Sequence, residues 1–178
     1  MDLFDAIAVR HSYRGGFLDD PVPREDLVRI MEAGLAAPSG CNKQTVDLVA
    51  IDDPDVLARL RATIDPPLKR ENAPAAICVL SRRINAYRDK CFATQDYSAA
   101  IQNMLLAIAA LGYASCWYEG HITDDDHICD RMARVLDVPQ GYDLVCYLPV
   151  GRPVHVPRGP QKDPFDIHAH FNRFASGG

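Results

Sequence analysis

The segment that most constrains the fold runs from Asp96 to Leu111 and reads DYSAAIQNMLLAIAAL. Its apolar residues recur at helical spacing, yet they cover most of the helix circumference instead of one stripe. Such a helix must be covered on several sides, so we expect it to be central. Gly112, directly after it, fits a helix C-terminus. The cover can come from a deep core within one chain or from a second copy in a dimer, and the pattern fits both.

Two amphipathic patterns predict further helices. One starts at Arg24 and ends before Pro38, and its apolar residues at helical spacing are Leu27, Ile30, Met31 and Leu35. The other starts at Thr123, a capping-type residue followed by three acids that suit the positive end of a helix dipole. Its inner face consists of Ile128, Met132, Val135 and Leu136.

Apolar runs bounded by polar residues or proline predict strands at Thr45 to Ile51, Ala75 to Ser81, Ala114 to Tyr118 and Leu144 to Gly151. A proline-rich tail with modest order of its own follows them. Helices interspersed with strands indicate an α+β or α/β sandwich in which helices pack against one sheet. The length of 178 residues and the absence of a linker indicate one domain over residues 1–178.

Charge and hydropathy exclude several classes of partner. The formal net charge of -5 disfavours duplex nucleic acid and anionic membranes, which both need a broad basic surface. The longest apolar stretch, Met104 to Ala114, has about half of the roughly 20 residues that a membrane span needs. The start, MDLFDAIAV, is acidic and has no basic leader. We therefore expect a cytoplasmic protein that binds neither nucleic acid nor membrane.

The six cysteines are scattered, and no pair has C-x-x-C spacing. A zinc site and a dithiol redox centre are therefore not expected, and we interpret the cysteines as reduced thiols, several of them in the core. The chain also lacks a P-loop, a G-x-G-x-x-G after a strand, an H-E-x-x-H and a G-x-S-x-G.

The best candidate anion site is VRHSYRGGF, from Val9 to Phe17. In an extended segment alternate residues face the same side, so Arg10, Ser12 and Arg14 can converge on one ligand. Two guanidinium groups and a hydroxyl suit a phosphate. On their own, these residues fit an exposed loop with surface ion pairs better than a ligand site, because exposed arginines are common.

Two further segments carry suitable polar or aromatic groups. APSGCNKQ, from Ala37 to Gln44, offers side chains that can read the edge of a flat heterocycle, although its residues are also typical of a helix-terminating turn. CWYEGH, from Cys116 to His121, runs from the end of a predicted strand into a turn at Gly120, where a backbone can approach a ligand closely. Trp117 and Tyr118 there suit either a pocket wall or the plain core.

In this order, these segments resemble the FMN-dependent nitroreductase family. AIAVRHSYRGGF is similar to its R-[RH]-S-x-[RK]-x-F signature, and AGLAAPSGCNKQ to its A-x-x-A-P-S-x-x-N-x-Q segment. DYSAAIQNMLLAIAALGYASCWYEG is similar to its D-x-x-x-A-x-Q-N-x-L-L-A-A-x-x-L-G helix and the following strand. LVCYLPVGRP and GPQKDPFDIHAHF resemble its penultimate strand and closing tail. Each motif is weak, but five in register cover nearly the whole chain.

The resemblance implies an α+β fold with a central, mostly antiparallel sheet flanked by helices, and a central helix at a dimer interface. It implies a homodimer that binds FMN in clefts built by both chains. Hydride transfer from NAD(P)H through flavin N5 to a nitroaromatic, a quinone or a similar acceptor, by ping-pong exchange, would be the activity. No side chain need act as an acid or base, because the flavin carries the chemistry.

The resemblance also assigns cofactor contacts. Arg10 and Ser12 would hold the phosphate and ribityl chain, and Arg14 would lie near the N1–C2=O edge, where its charge favours reduced flavin. The partner chain would contribute its loop at 37–44, and the backbone at 119–120 would approach N5. Lys162, and more weakly Arg152, would complete phosphate binding. The full set is Arg10, His11, Ser12, Arg14, Pro38, Ser39, Asn42, Gln44, Glu119, Gly120, Arg152 and Lys162.

Three departures from the family pattern leave the substrate open. Gln44 is followed by Thr45-Val46 where the family usually has Pro-Trp, Phe17 sits one residue late, and the segment between Ile84 and Asp96 is short and polar. A short segment there indicates a reduced substrate cover. The alternatives are an FMN enzyme of the same scaffold that removes halogens or dehydrogenates small molecules, and a flavin-binding protein without turnover.

Overall fold

An antiparallel sheet forms the centre of the computed structural model, which describes residues 1–65, 67, 72–156 and 159–174. The strands in chain order are β1 (Val46–Ile51), β2 (Ala75–Ser81), β3 (Asn85–Tyr87), β4 (Lys90–Cys91) and β5 (Asp143–Val150). The central sheet has the order β1-β2-β5, and β3 pairs with β4 in a separate hairpin. Cys78 at the centre of β2 pairs with Val49 on one side and Tyr147 on the other.

The helices in chain order are α1 (Leu3–Val9), α2 (Arg24–Leu35), α3 (Pro54–Arg61), α4 (Ala93–Ala110), α5 (Gly120–Thr123), α6 (Ile128–Val135) and α7 (Phe165–His168). A 3₁₀ turn occupies Gly40–Asn42. The combination of helices with an antiparallel sheet confirms the expected α+β class.

The two faces of β2 belong to two different cores, which explains why the whole strand is apolar. Ile77 and Val79 pack with α4 and α2 on one face. Cys78 and Leu80 pack with α3 and α6 on the other. A strand that is covered on both faces has no solvent side, so its sequence need not alternate between apolar and polar residues.

Helix α4 is central, as the sequence predicts, and it packs against α2, α1 and the sheet. Ile101, Met104 and Ile108 are fully or almost fully buried. Gln102 is exposed and Leu106 only half-buried, so the described part of the chain leaves one side of this helix uncovered. Gly112 after the helix has a φ of 80°, which confirms the expected C-terminal stop.

Two predicted elements differ in the structure. Residues 114–118 form only isolated bridges, because the segment changes its backbone partner from Gly151 to Ser12 and then to Tyr147 within a few residues. The helix predicted from Thr123 begins instead at Ile128. The Thr123 hydroxyl is already used in α5, where it donates to the carbonyl of Glu119 at 2.9 Å.

The other predicted elements are confirmed within a few residues. Helix α2 and strands β1, β2 and β5 match their patterns, whereas α4 begins about one turn before the predicted Asp96. All six cysteines are free, and Cys78, Cys116 and Cys146 are buried. Burial raises the pKa of the Cys78 thiol to about 12, so it stays protonated. Over the described part of the chain, the helices are too short or too polar to cross a bilayer.

Candidate functional site

The segment after α1 is held beside residue 115 by backbone pairing. Helix α1 ends where Arg10 turns to an extended conformation, and the Arg10 N–H donates to the carbonyl of Ala6. Ser12 then bridges Ser115 in parallel, and the Tyr13 N–H donates to the Ser115 carbonyl at 2.8 Å. This pairing fixes where the arginine-rich segment lies on the fold.

A cavity of about 460 Å³, here called the N-terminal cavity, opens between this segment and the C-terminal half of α4. Arg10 and His11 line it, together with Ile108 of α4 and Tyr113 and Ser115 beyond it. Ser12 and Arg14 are exposed and are not part of its lining. The expected convergence of the two arginines and Ser12 on one cavity is therefore not seen within a single chain.

The polar groups of the N-terminal cavity are incompletely paired. The His11 ring contacts the Val9 carbonyl through Nδ1 at 2.7 Å, while its Nε2 is buried and has no partner in the described part of the chain. The Ser115 hydroxyl is in the same state. The Arg10 guanidinium likewise has no ion pair with any described residue.

A second cavity of about 480 Å³, here called the loop cavity, lies at the 37–44 loop and the N-terminal half of α4. Pro38, Ser39 and Gln44 line it with Asp96, whereas Asn42 is exposed outside its lining. Cys41 also belongs to this loop. Three residues of the loop have left-handed backbone, with φ of 50° at Cys41, 54° at Asn42 and 48° at Gln44. This conformation is uncommon for residues other than glycine, so the surrounding contacts must hold it.

Those contacts come from two side chains. Asp96, buried at the start of α4, accepts hydrogen bonds from the Gly40 N–H at 2.8 Å and the Thr45 hydroxyl at 2.7 Å. Inside the loop, the Ser39 hydroxyl oxygen accepts from the Gln44 N–H at 2.9 Å. The loop therefore has a fixed shape before any ligand binds.

The Glu119 carboxylate is held from two sides. It accepts hydrogen bonds of 2.7 Å from the Tyr97 hydroxyl and of 2.7 Å from the Trp117 ring N–H. Burial, and then the bond to Glu119, raise the pKa of Tyr97 above its ordinary value. Gly120 is exposed, and a Cβ added to it would meet nothing within 4 Å. The space above this backbone is thus open to a ligand.

The remaining predicted cations lie at the surface. The Arg152 guanidinium is over the Tyr113 ring at 5.2 Å, beside the N-terminal cavity but not in its lining. Lys162 is exposed in the segment before α7. The structure does not bring Lys162 to the N-terminal cavity lining.

The two cavities share no lining residue. Asp96 belongs to the loop cavity and Ile108 to the N-terminal cavity, and these residues are about 18 Å apart along the α4 axis. One chain therefore separates the arginine-rich segment from the 37–44 loop.

A sequence model described as the Nitroreductase family matches residues 7–76 and 68–152, which together span most of the chain. The match includes the arginine-rich segment, the 37–44 loop, α4 and residues 114–120. The chain belongs to the Nitroreductase family. It is therefore an oxidoreductase of the nitroreductase type.

Relatives of this Nitroreductase family chain carry oxidoreductase names. A Methanothermobacter thermautotrophicus protein provisionally named NADH dehydrogenase/NAD(P)H nitroreductase is 27% identical over 88% of this chain and 80% of its own length. An NADPH-dependent oxidoreductase of Staphylococcus haemolyticus is 25% identical over 98% of this chain and 74% of its own.

Solved structures show the same nitroreductase fold. A protein of Bacteroides thetaiotaomicron with a similar provisional name superposes with a TM-score of 0.82 and 24% identity, covering 97% of this chain and 98% of its own. A structure titled FMN-dependent nitroreductase, from Clostridium difficile, has a TM-score of 0.80 and 25% identity, covering 96% and 99%. The expected fold is confirmed.

The residues present fit a phosphorylated ligand such as FMN. Among the described residues, the lining of the N-terminal cavity includes one guanidinium without an ion pair and two residues with a buried polar atom that has no hydrogen-bond partner, and such atoms are normally hydrogen-bonded in proteins. A phosphorylated ligand provides groups that can pair with them.

Sequence reasoning missed several residues of this Nitroreductase family site. The sequence patterns predict a buried strand at Ser115 and a helix start at Asp96, and they assign no role to Tyr113. A usable signal existed for Ser115, because it is the one hydroxyl in the otherwise apolar run from Ala114 to Trp117. Asp96 gave none, because its role depends on a loop that is distant in sequence.

Proposed function

We propose that this protein is an FMN-dependent oxidoreductase that works as a homodimer, accepts a hydride from NAD(P)H and passes it to an electron-poor acceptor such as a nitroaromatic or a quinone. The observation that carries the proposal is the separation of the predicted flavin ligands into two cavities along α4. A second copy can place its 37–44 loop against the arginine-rich segment of the first, and then both groups meet one flavin.

Exposed apolar surface supports the second copy. Phe4 on α1 is 80% exposed, and Phe171 and Phe174 near the C-terminus are each 80% exposed. Phe171 lies 6.5 Å, ring centre to ring centre, from Phe165, which is 69% exposed, and such groups of exposed apolar side chains are typical of protein interfaces. The uncovered side of α4 is a further surface that a second copy could cover, which favours the dimeric interpretation of its apolar pattern over a deep core in one chain.

Bound FMN would supply the hydride-accepting and hydride-donating chemistry. Arg10 would bind the phosphate, because a guanidinium without an ion pair is available beside the cavity. Arg14 would place a fixed positive charge near the ring edge that becomes electron-rich on reduction. Ser39, Asn42 and Gln44 of the second copy would bind the ring from the other side.

The Glu119–Gly120 backbone would lie against the reactive edge of the ring. Tyr97 and Trp117 hold the Glu119 side chain, so this backbone is positioned from the core. The open space over Gly120 would admit the ring and, after it, the nicotinamide and the acceptor in turn. No side chain is assigned as an acid or base.

The test is the visible spectrum of the purified protein, followed by anaerobic reduction with NADH and with NADPH. Flavin absorption that bleaches with either nucleotide and returns with nitrofurazone or a quinone is expected. Sedimentation should give a dimer. A colourless protein that does not bind added FMN would contradict the proposal, and a monomer with bound flavin would contradict the shared cleft.

Turnover separates the catalytic proposal from a flavin carrier. A carrier would bind FMN and dimerise, yet it would not oxidise NAD(P)H with an added acceptor. Reduction without reoxidation by nitroaromatics or quinones would instead indicate another reaction on the same scaffold.

A further inference from the structure

The Glu119 carboxylate is fixed in position by two neutral groups. Its Oε1 accepts from the Tyr97 hydroxyl and its Oε2 from the Trp117 ring N–H, each at 2.7 Å. Glutamate is ordinarily ionised at neutral pH. A phenol and an indole carry no positive charge, so these two bonds orient the carboxylate without neutralising it.

No cation neutralises this carboxylate within the described part of the chain. Glu119 makes no ion pair with any residue there. Arg83, whose charge acts on Tyr97, is itself paired with Asp143 at 2.5 Å. Glu119 is also half-buried, where solvent screens a charge less than it does at the surface. The position therefore favours a ligand group that carries, or acquires, positive charge.

The backbone of Glu119 is fixed beside open space. Its carbonyl accepts from both the N–H and the hydroxyl of Thr123, each at 2.9 Å. The next residue, Gly120, is exposed, and a Cβ added to it would meet no described residue within 4 Å. This is the space proposed above to admit the flavin ring and then the nicotinamide. The charge of Glu119 thus lies one residue away from that space.

Oxidation of a nicotinamide produces a positive charge of the kind that a carboxylate stabilises. The C4–H bond of the neutral, reduced ring breaks, and the hydrogen leaves as a hydride with both bonding electrons, which FMN would accept. The ring that remains carries one positive charge. A negative charge that is already in place lowers the energy of this change, because no reorganisation is needed as the positive charge develops.

We propose that the Glu119 carboxylate stabilises the positive charge that develops on the nicotinamide ring of NAD(P)H during hydride transfer, and that Tyr97 and Trp117 are positioning residues that hold this carboxylate. The assignment rests on the proposed function. It extends the role of Glu119 from its backbone to its side chain. The role is electrostatic, and no proton is transferred.

The first experiment compares two ligands that differ in ring charge. FMN-loaded protein is titrated with NAD(P)⁺, whose ring is cationic, and with the tetrahydronicotinamide analogue of NAD(P)H, whose ring is neutral and has no hydride to give. Two unit charges about 10 Å apart near a protein surface change a binding constant by about 10-fold. Glu119→Gln should therefore raise the Kd for NAD(P)⁺ about 10-fold and change the Kd for the neutral analogue by less than about 2-fold.

The glutamine variant isolates the charge. Its carboxamide has the shape of the carboxylate, and it can still accept from the Trp117 N–H and donate to the Tyr97 hydroxyl. Trp117→Phe keeps the charge but removes one of the bonds that hold it, and should weaken NAD(P)⁺ by about 3-fold with the neutral analogue unaffected. Asp143→Asn removes a surface carboxylate that is paired with Arg83, and should alter neither Kd.

The second experiment separates the two halves of the reaction. In anaerobic stopped flow, reduction of the bound flavin by NAD(P)H should be about 10-fold slower in Glu119→Gln. Reoxidation by a quinone should be unchanged, since no nicotinamide takes part in it. A carboxylate that acted on the flavin instead would give the opposite sign, because its removal would make the reduction potential more positive and reduction faster.

Thermal unfolding and flavin content are measured for every variant, and Glu119→Ala is the second neutral variant should Glu119→Gln not fold. Equal changes in the two Kd values would show a structural role, faster reduction would move the charge to the flavin, and loss of FMN from both neutral variants would make the side chain a cofactor ligand. Each of these results would overturn the assignment.

The proposed function fails in a different way. Wild-type protein that binds no FMN, or whose bound FMN is reduced by neither nucleotide, would overturn the proposed function itself. Wild-type protein that is reduced normally, together with Glu119→Gln that matches it in both experiments, would overturn the assignment of the Glu119 side chain alone.

Discussion

The buried carboxylate of Asp96 accepts a 2.7 Å hydrogen bond from the hydroxyl of Thr45, and its other oxygen accepts from the N–H of Gly40 at 2.8 Å. One side chain in the first turn of α4 thereby holds the middle of the 37–44 loop at Gly40 and the residue directly after the loop, Thr45. A carboxylate is also favourable at this end of a helix. The loop that the proposed second copy contributes to the flavin is therefore built onto the central helix.

Replacing Asp96 with alanine should destabilise the protein by about 2–4 kcal/mol, because two donors lose their acceptor and Thr45 is only 1% exposed. Urea unfolding measures the loss. Asp47→Ala is the matched control. The Asp47 carboxylate is exposed and makes a loose ion pair of 3.8 Å with Arg82, so its removal should lower the free energy of unfolding by about 0.5 kcal/mol or less. A similar loss of stability in both variants would contradict the role of Asp96 in holding the 37–44 loop.

The sequence predicts those elements whose buried residues follow a simple pattern, either helical spacing or an unbroken apolar run. Helix α2 shows its core side through Leu27 and Ile30, and β2 shows an unbroken apolar run because it is covered on both faces. Prediction from the sequence fails where pairing with distant segments decides the local structure. Residues 114–118 have a strand-like composition, yet their backbone partners come from three different segments.

For the candidate site, the sequence locates the segments but not the cavities. The motifs indicate that Arg10 and Ser39 belong to a flavin site, whereas the structure is needed to see that they lie in separate cavities. The burial of Ser115 and the exposure of Ser12 also follow from how their bridge is oriented on the fold. Periodicity carries no information about it.

Gly120→Ala should leave stability unchanged and weaken flavin binding. A Cβ at Gly120 would meet no described residue within 4 Å, but it would occupy the space proposed for the flavin ring. Gly40→Ala is the contrasting variant, because its Cβ would lie 2.7 Å from a ring carbon of Phe92 and cost about 1–3 kcal/mol. Thermal unfolding and FMN titration separate the two effects. Unchanged FMN affinity in Gly120→Ala would place the flavin elsewhere.

Tyr97→Phe should flatten the loss of stability at alkaline pH. Burial, and then Glu119, raise the pKa of Tyr97 above the ordinary 10.0, so the fold favours the neutral phenol. This contribution is complete below pH 10.0 and is lost as the pH rises through the raised folded value, where the unfolded chain has already released its proton.

The measurement for Tyr97 is urea unfolding from neutral pH to above pH 10.0. Tyr113→Phe is the comparison, because burial and then Asp26 raise the pKa of Tyr113 in the same direction without involving Glu119. In each variant, the free energy of unfolding should fall less steeply with pH in the alkaline range than in wild type. If the free energy of unfolding of Tyr97→Phe falls with pH as steeply as that of wild type, the Tyr97 phenol does not cause the alkaline loss of stability.

Phe4→Glu should give a monomer with weak FMN binding. The side chain is 80% exposed on α1 and forms part of the apolar surface proposed to meet the second copy, where a carboxylate would be buried at high cost. Val28→Glu on α2, where valine is 46% exposed, serves as the control and should remain dimeric. Sedimentation and FMN titration are the measurements. A Phe4→Glu dimer would remove α1 from the interface.

Arg14→Ala should make the reduction potential of bound FMN more negative and weaken reduced FMN more than oxidised FMN. The Arg14 side chain is exposed and has no ion pair with any described residue, so its charge is available to a ligand. Removing a fixed cation from beside the electron-rich ring should weaken the binding of reduced FMN by about 1–2 kcal/mol, well below the limit of about 4 kcal/mol for two charges near a protein surface.

Two control variants separate the charge of Arg14 from its shape. Arg14→Lys keeps the charge and should leave the reduction potential of bound FMN close to that of wild type. Arg29→Ala removes an arginine already paired with Asp26 at 3.3 Å and should leave the potential unchanged. Equal potentials in wild type and Arg14→Ala would place the guanidinium away from the flavin ring.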